Sequence, residues 1–280
     1  MPVHGKGRTR VELPWRAVEP DGGDRPIDPD RLPRLRGRRP LKRWRYVGIY
    51  DERVRLCAGL VRIAGAPQSF WAVHDRAAGA FREHTTLRAA VDLPDGAARF
   101  GGRGVRADLR LEPAGERVEV VSRHGAHPIW TRKTPLRARG RVSIDGRTIE
   151  VDAPGLLDDS AGHHARRTAW SWSAGCGSST EGHAVTWNLV DGLHDAAEHS
   201  ERTVWLDGIA NEVPPAAFAA DLSAVGDLRF STEVERARHD RLILVDSAYR
   251  QPFGTFTGTL PCGTTLRTGH GVMERHEARW

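Results

Sequence analysis

From Trp44 onward, apolar residues recur at every second position in short runs separated by turn-forming residues, the period of half-buried β-strands. Residues 44–75 predict three strands, with turns at Asp51-Glu52 and at Gly65-Ala66-Pro67. Residues 76–91 carry some helical composition, weakened by Gly79 and Thr85-Thr86, and predict a loop or a short helix. Strands at 104–113 and 116–124 flank a Pro-Ala-Gly turn. A hairpin is predicted at Asp145-Gly146, between Val142/Ile144 and Ile149/Val151, because Asp-Gly accepts the positive φ angles of a tight two-residue turn. Asp207-Gly208 repeats that signal, two more strands are expected around His239-Asp240, and residues 253–280 supply a final pair. No segment sustains an amphipathic helix of ordinary length.

Many short strands with regular turns predict an all-β protein, a sandwich or a barrel. In residues 254–260 (GTFTGTL), Thr255, Thr257 and Thr259 face one side, and Gly254, Phe256, Gly258 and Leu260 the other. Glycines flanking an inward aromatic suit a strongly bent strand, which favours a barrel. Residues 1–43, broken by Pro14, Pro20, Pro26, Pro29, Pro33 and Pro40, read as an irregular arm that is ordered only if it lies on the body. A length of 280 residues then suggests two β-units, at 44–155 and 156–280.

Composition narrows the class. The chain is 39% hydrophobic and 28% charged, with a mean hydropathy of −0.50, as in a globular protein. No apolar run approaches the roughly 18–20 residues of a membrane helix, and no apolar segment follows the basic N-terminus as in a signal peptide. Cys57, Cys176 and Cys262 are distant and odd in number, which fits the reducing cytoplasm and no disulfide framework. The net charge of +6 invites a nucleic-acid partner, and a basic run from Arg31 to Arg45 concentrates it. Against that reading, all but Lys6, Lys42 and Lys133 of the 42 basic residues are arginine, and the run lacks interleaved aromatics before Trp44. A solvated arm packed across its own acidic surface accounts for it better.

The stretch 158–177 is richest in chemistry. Trp170 and Trp172 point the same way from a strand, with Ser171 and Ser173 opposite, and form a pocket wall or a core pair. Asp159, just ahead of them, is either a desolvated proton donor or a residue that turns the chain. His163, His164, His183, His194 and His199 fall within one region but lack metal-ligand spacing. Asn188 lies on a strand edge and Glu198 in the next loop. At the tail, His270, Val272, Glu274, His276 and Ala278 share a strand face, so Glu274 and His276 are neighbours able to hydrogen-bond. No nucleophile elbow, phosphate loop or dinucleotide fingerprint occurs.

The series Asp159, Gly162, Thr168-Ala-Trp170-Ser-Trp172, Asn188-Leu189, Glu198, Asp207-Gly208 and the closing GVMERHEARW resembles the family called domain of unknown function 2804. KRWRYVGIYDE and GTFTGTL fit it as well. The departure is His199, where the family pattern leads to asparagine. The resemblance implies two lipocalin-like barrels or half-barrels packed together, distantly similar to carotenoid hydratases, tocopherol cyclases and lipocalin-type pericyclases. Such proteins enclose apolar polyene or prenyl molecules and work by an acid or a shaped pocket, with no cofactor. By that analogy the expected partner is a hydrophobic small molecule in a barrel cavity, undergoing hydration or cyclisation. Asp159 would be the acid, Trp170 and Trp172 would stabilise a cation, and Glu274 and His276 would form a second relay. Asn188, Glu198 and His199 complete the expected ligand contacts. Two rivals stand beside this: a non-catalytic carrier of apolar ligands, and a scaffold or nucleic-acid-associated protein acting through the arm.

Overall fold

The computed structural model describes residues 12–20, 25–242 and 245–279. Strands run in the order β1 (Trp15–Val18), β2 (Leu35–Arg36), β3 (Arg39–Pro40), β4 (Lys42–Tyr50), β5 (Val54–Ile63), β6 (Ala66–Asp75), β7 (Ala80–Thr86), β8 (Val91–Asp92), β9 (Ala97–Gly102) and β10 (Val105–Pro113). They continue as β11 (Val118–His124), β12 (His127–Ile144), β13 (Arg147–Gly162), β14 (Arg167–Ser179), β15 (Ala184–Asp191), β16 (Thr203–Leu206), β17 (Ile209–Glu212), β18 (Ala224–Val225), β19 (Leu228–Leu242), β20 (Val245–Thr259) and β21 (Thr265–Arg279). The one helical turn among the described residues is a 3-10 turn at Pro29–Arg31. The protein is all-β, built of two packed units.

The first unit is a sheet in the order β7-β6-β5-β4-β13-β12-β10-β9-β8, with β11 pairing the first half of β12 and β1 pairing β11. The second is a half-barrel in the order β17-β16-β15-β14-β21-β20-β19-β18. The chain passes from one to the other between Gly162 and Arg167. Both Asp-Gly turns form as the sequence predicts: Asp145-Gly146 closes an unbroken register from Ile144↔Arg147 to Ile129↔Gly162, and Asp207-Gly208 joins β16 to β17. Their φ angles are +49° and +83°, then +50° and +84°.

Two local expectations fail. Residues 80–86 are strand, not loop or helix: β7 pairs β6 from Asp75↔Ala80 to Ser69↔Thr86, and a waiting sheet edge overrides weak helical propensity. The turn expected at His239-Asp240 is not there. Both residues stay in β19, paired with Ala248 and Ser247, and the pairing continues to Leu242↔Val245.

Strand alternation sorts the apolar residues into three main layers. Val47, Ile49, Leu56 and Ala58 face the interior of the first unit, where Trp71 stacks on Phe100 at 5.8 Å. Tyr46, Tyr50, Cys57 and Ala72, on the opposite face, meet Trp172, Ala174, Cys176 and Val272 of the second unit. Trp187, Leu189, Phe230 and Phe256 fill the half-barrel. The bend inferred from residues 254–260 is present as a register shift between Thr255 and Gly258, and Phe256 points inward against Trp187. A second shift, between Thr232 and Val234, turns Glu233 toward the other unit, where it binds buried Arg55 at 2.8 Å and Arg76 at 2.7 Å.

The described part of the arm lies on the body. Leu13, Trp15, Ile27 and Leu32 pack on Val121, Trp130 and Ala161, while Arg25 grips the buried Glu119. Much of the basic run is consumed internally: Arg31 pairs Asp28, Arg43 pairs Asp30, and Arg45 pairs Asp95 and Asp159.

Candidate active site between the two sheets

A cavity of about 340 Å³ lies between the two units rather than inside either barrel. Cross-strand rows build its first wall. One row runs Lys133, Asp158, Tyr46, Gly59, Phe70 and Thr85 across five strand pairings. Neighbouring rows on the same face add Trp44, Val61 and Gln68, then Lys42, Ile63 and Ala66. The half-barrel supplies the other wall: Trp172 is paired with Glu274, and Trp170 with His276, which is in turn paired with Tyr249. Leu87, 66% exposed, marks the opening.

Trp170 and Trp172 both face this space, with Ser173 on the opposite side of β14 bonding Trp187. Trp170 stacks against Trp44 at 6.3 Å and lies 4.3 Å from the His276 ring; Trp172 meets Tyr46 edge-on at 5.5 Å. Both indole N–H groups are engaged by polar side chains. That of Trp170 donates to Glu274 Oε1 at 2.8 Å, and that of Trp172 to Asn188 Oδ1 at 2.8 Å. Asn188 thus positions an indole from behind, and its own Nδ2 donates to the Glu201 carbonyl.

Glu274 is the best-placed acid. Gln251 Nε2 donates to its Oε2 at 2.9 Å, and Tyr249 also hydrogen-bonds it. Burial pushes its carboxyl up to about 7, against the opposing pull of Trp170, Tyr249 and Arg236. His276 shares the strand face, as expected, but no hydrogen bond joins it to Glu274. Its Nε2 pairs with Ser247 Oγ at 2.8 Å, and burial, helped by the charges of Lys42 and Arg236, drives the imidazole down to about 3. Arg236 lies over the Phe70 ring at 4.2 Å and donates to the Tyr249 hydroxyl at 3.1 Å.

Asp159 occupies a different place from the one its sequence context suggests. It faces away from the cavity, between its direct cross-strand neighbours Arg45 and Arg132, and accepts hydrogen bonds from both guanidinium groups. It is a salt-bridged carboxylate that ties three strands together. Asp158, one residue earlier and so on the other face, lines the cavity, with Lys133 Nζ at 2.6 Å.

Glu198 and His199 are exposed at the outer part of the loop after β15 and touch no cavity wall. His199 has φ +58°, a left-handed conformation that asparagine adopts more readily than most residues. The carboxylate this loop contributes is Glu201, 4% exposed, with its Oε2 3.4 Å from Lys133 Nζ. Burial pushes Glu201 up; Lys133 is held above its ordinary range because Asp158 and Glu201 outweigh its own burial.

Sequence reasoning missed Lys133, Glu201, Tyr249 and Gln251, and weighed His194 only as a metal ligand. One signal for the lysine was present. Among the described residues the cations at the surface are arginines, whereas both lysines, Lys42 and Lys133, are buried and line the cavity. Among the described residues, no group of three or more His, Cys, Asp or Glu could hold a metal ion. None of their helices is long and apolar enough to cross a membrane.

The sequence model described as Domain of unknown function (DUF2804) matches residues 89–280. The chain belongs to this family. The matched part of the DUF2804 chain carries Lys133, Asp158, Trp170, Trp172, Glu201 and Glu274, while Lys42 to Phe70 of the facing wall precede it. Comparison with the curated proteins finds no match. Among solved structures, a Nitrosomonas europaea protein bearing the name AttH has a TM-score of 0.51 at 14% identity, over 84% of this chain and 92% of that one. Kievitone hydratase from Nectria haematococca follows at 0.47 and 9%, over 85% and 88%. CghA stands at 0.41 and 11%, over 85% and 88%. The likeness to the first is one of fold.

Proposed function

We propose that this DUF2804 protein binds a largely apolar small molecule between its sheets and protonates it from Glu274, in a cofactor-independent hydration or cyclisation. The observation that carries this is a protonatable carboxyl, held near neutrality by burial, in a wall of indole and phenol rings. An acid is most useful when its pKa lies close to the working pH, because it then both holds and releases its proton readily. Rings of Trp170, Trp172 and Tyr46 offer their faces to the cationic carbon that alkene protonation creates. His276, kept neutral by burial, borders the same rings without adding a positive charge. Three unpaired thiols suit a reducing, cytoplasmic setting for this chemistry.

Two measurements test the reading. N-phenyl-1-naphthylamine, a neutral apolar fluorophore, should bind the wild type, bind Trp170→Ala about tenfold more weakly, and bind Glu274→Gln within about twofold of wild type. In heavy water, deuterium should enter the alkene carbons of bound geraniol with the wild type and not with Glu274→Gln. Exchange that persists in Glu274→Gln overturns the acid assignment. Binding of both probes without exchange in either protein favours the carrier reading instead.

A further inference from the structure

The other end of the cavity holds a polar cluster for which the proposed proton transfer has no use. His194 and Glu201 stand at the two ends of the loop that carries Glu198 and His199, and the Glu201 N–H donates to the His194 carbonyl at 3.0 Å. Lys133 and Asp158 reach the same place from the first sheet, and all four side chains line the cavity. His194 is 4% exposed. Its Nδ1 pairs with Ser122 Oγ at 2.8 Å, whereas its Nε2, buried from solvent, has no hydrogen-bond partner within the protein. Burial, then the charges of Lys133 and His124, holds this imidazole well below its ordinary range and so neutral.

A buried ring nitrogen without a partner destabilises the folded protein, and a hydrogen bond from a bound molecule removes that cost. The surrounding groups limit what that molecule presents. Two carboxylates share one ammonium, so a further anion would meet repulsion. A hydroxyl both donates and accepts. With His194 Nε2 protonated, it accepts from Nε2 and from Lys133 and donates to Asp158 or Glu201; with Nε2 unprotonated, its one proton goes to Nε2 while it still accepts from Lys133. We infer that His194, with Lys133, Asp158 and Glu201, forms an anchoring subsite for a hydroxyl group, so that the molecule taken between the sheets is an apolar alcohol or phenol. The inference rests on the proposed binding role of the cavity and adds the class of ligand. Trp172 separates the two ends, with Glu274 paired to it on β21 and Asn188 linking its indole to Glu201. The hydroxyl is therefore fixed at one end while the apolar body crosses the indole toward the acid.

Three probes of one shape test this: naphthalene, 2-naphthol and 2-naphthoate, titrated against tryptophan fluorescence. The wild type should bind 2-naphthol about tenfold or more tightly than naphthalene, and 2-naphthoate more weakly than 2-naphthol. His194→Phe should bring naphthol and naphthalene to near-equal affinity. Ser122→Ala, a smaller change that frees the imidazole to reorient, should narrow the preference partway, with native folding confirmed by its melting curve. Equal binding of naphthol and naphthalene by the wild type overturns the subsite and leaves the cavity reading intact. So does a naphthol preference that survives in His194→Phe, or tighter binding of the naphthoate. Failure of all three probes to bind refutes the cavity reading and the subsite with it.

Discussion

Replacing Glu274 by glutamine should make the protein more stable at alkaline pH, which is the reverse of what deleting a hydrogen-bonded carboxylate usually does. The native state holds this proton up to about 7, against 4.5 for the ordinary side chain. Ionisation therefore costs the native state and not the unfolded chain. That cost is small below about pH 4.5 and complete above about pH 7, so stability is lost as pH rises through this window. A shift of about 2.5 units corresponds to about 3 kcal/mol. Glutamine stays neutral throughout. Its carbonyl still accepts from Trp170 or Gln251, but one of these donors loses its partner, a pH-independent penalty of about 1 kcal/mol. His276 contributes an opposing trend between about pH 3 and 6.5, since its folded pKa is depressed, but it does so in both proteins and cancels from the difference. Urea unfolding from about pH 4.5 to about pH 8 should show the variant gaining about 3 kcal/mol relative to wild type across the range. A difference that stays flat with pH would refute the desolvated acid, and one that grows toward acid would show that the carboxylate is stabilised ionised.

Asp159→Asn should lower stability by about 1–3 kcal/mol in the same assay, because two guanidinium groups lose their shared charge partner, and should leave N-phenyl-1-naphthylamine affinity unchanged. Thiol titration with an aromatic disulfide at pH 8 should count one reactive cysteine in the native protein, the exposed Cys262, and three after unfolding. Cys57 and Cys176 are enclosed, and burial pushes their thiols up to about 11 and about 12.

The parts of the site that could be read from the chain are those fixed by parity along a strand. That Trp170 and Trp172 share a face, and that Glu274 and His276 share another, follows from a period of two, and both pairs do meet at the cavity. Parity says which residues go together but not which face is the inner one. Asp158 and Asp159 are chemically identical and adjacent. The assignment of one to the cavity and the other to an arginine clamp depends on the register of β13 against β4 and β12. Glu198 and Glu201 pose the same ambiguity in a loop, where no period applies at all. The loop closes through the His194–Glu201 backbone bond and the buried Arg202, which donates to the Asp195 and Ala196 carbonyls, and this closure turns Glu201 inward.

The sequence alone determined the all-β character, the two Asp-Gly hairpins and the family, because strand period and turn conformation are local properties carried by a few neighbouring residues. Even the strand at 80–86 needed more, since its helical tendency yields only to an existing sheet edge. The cavity itself belongs wholly to the tertiary structure. Its lining comes from residues as far apart as Lys42 and His276, on two sheets whose outer faces must meet before the pocket exists. Burial then shifts the charge states of Glu274, Glu201 and His276, and burial is a property that no side chain has until the sheets have packed.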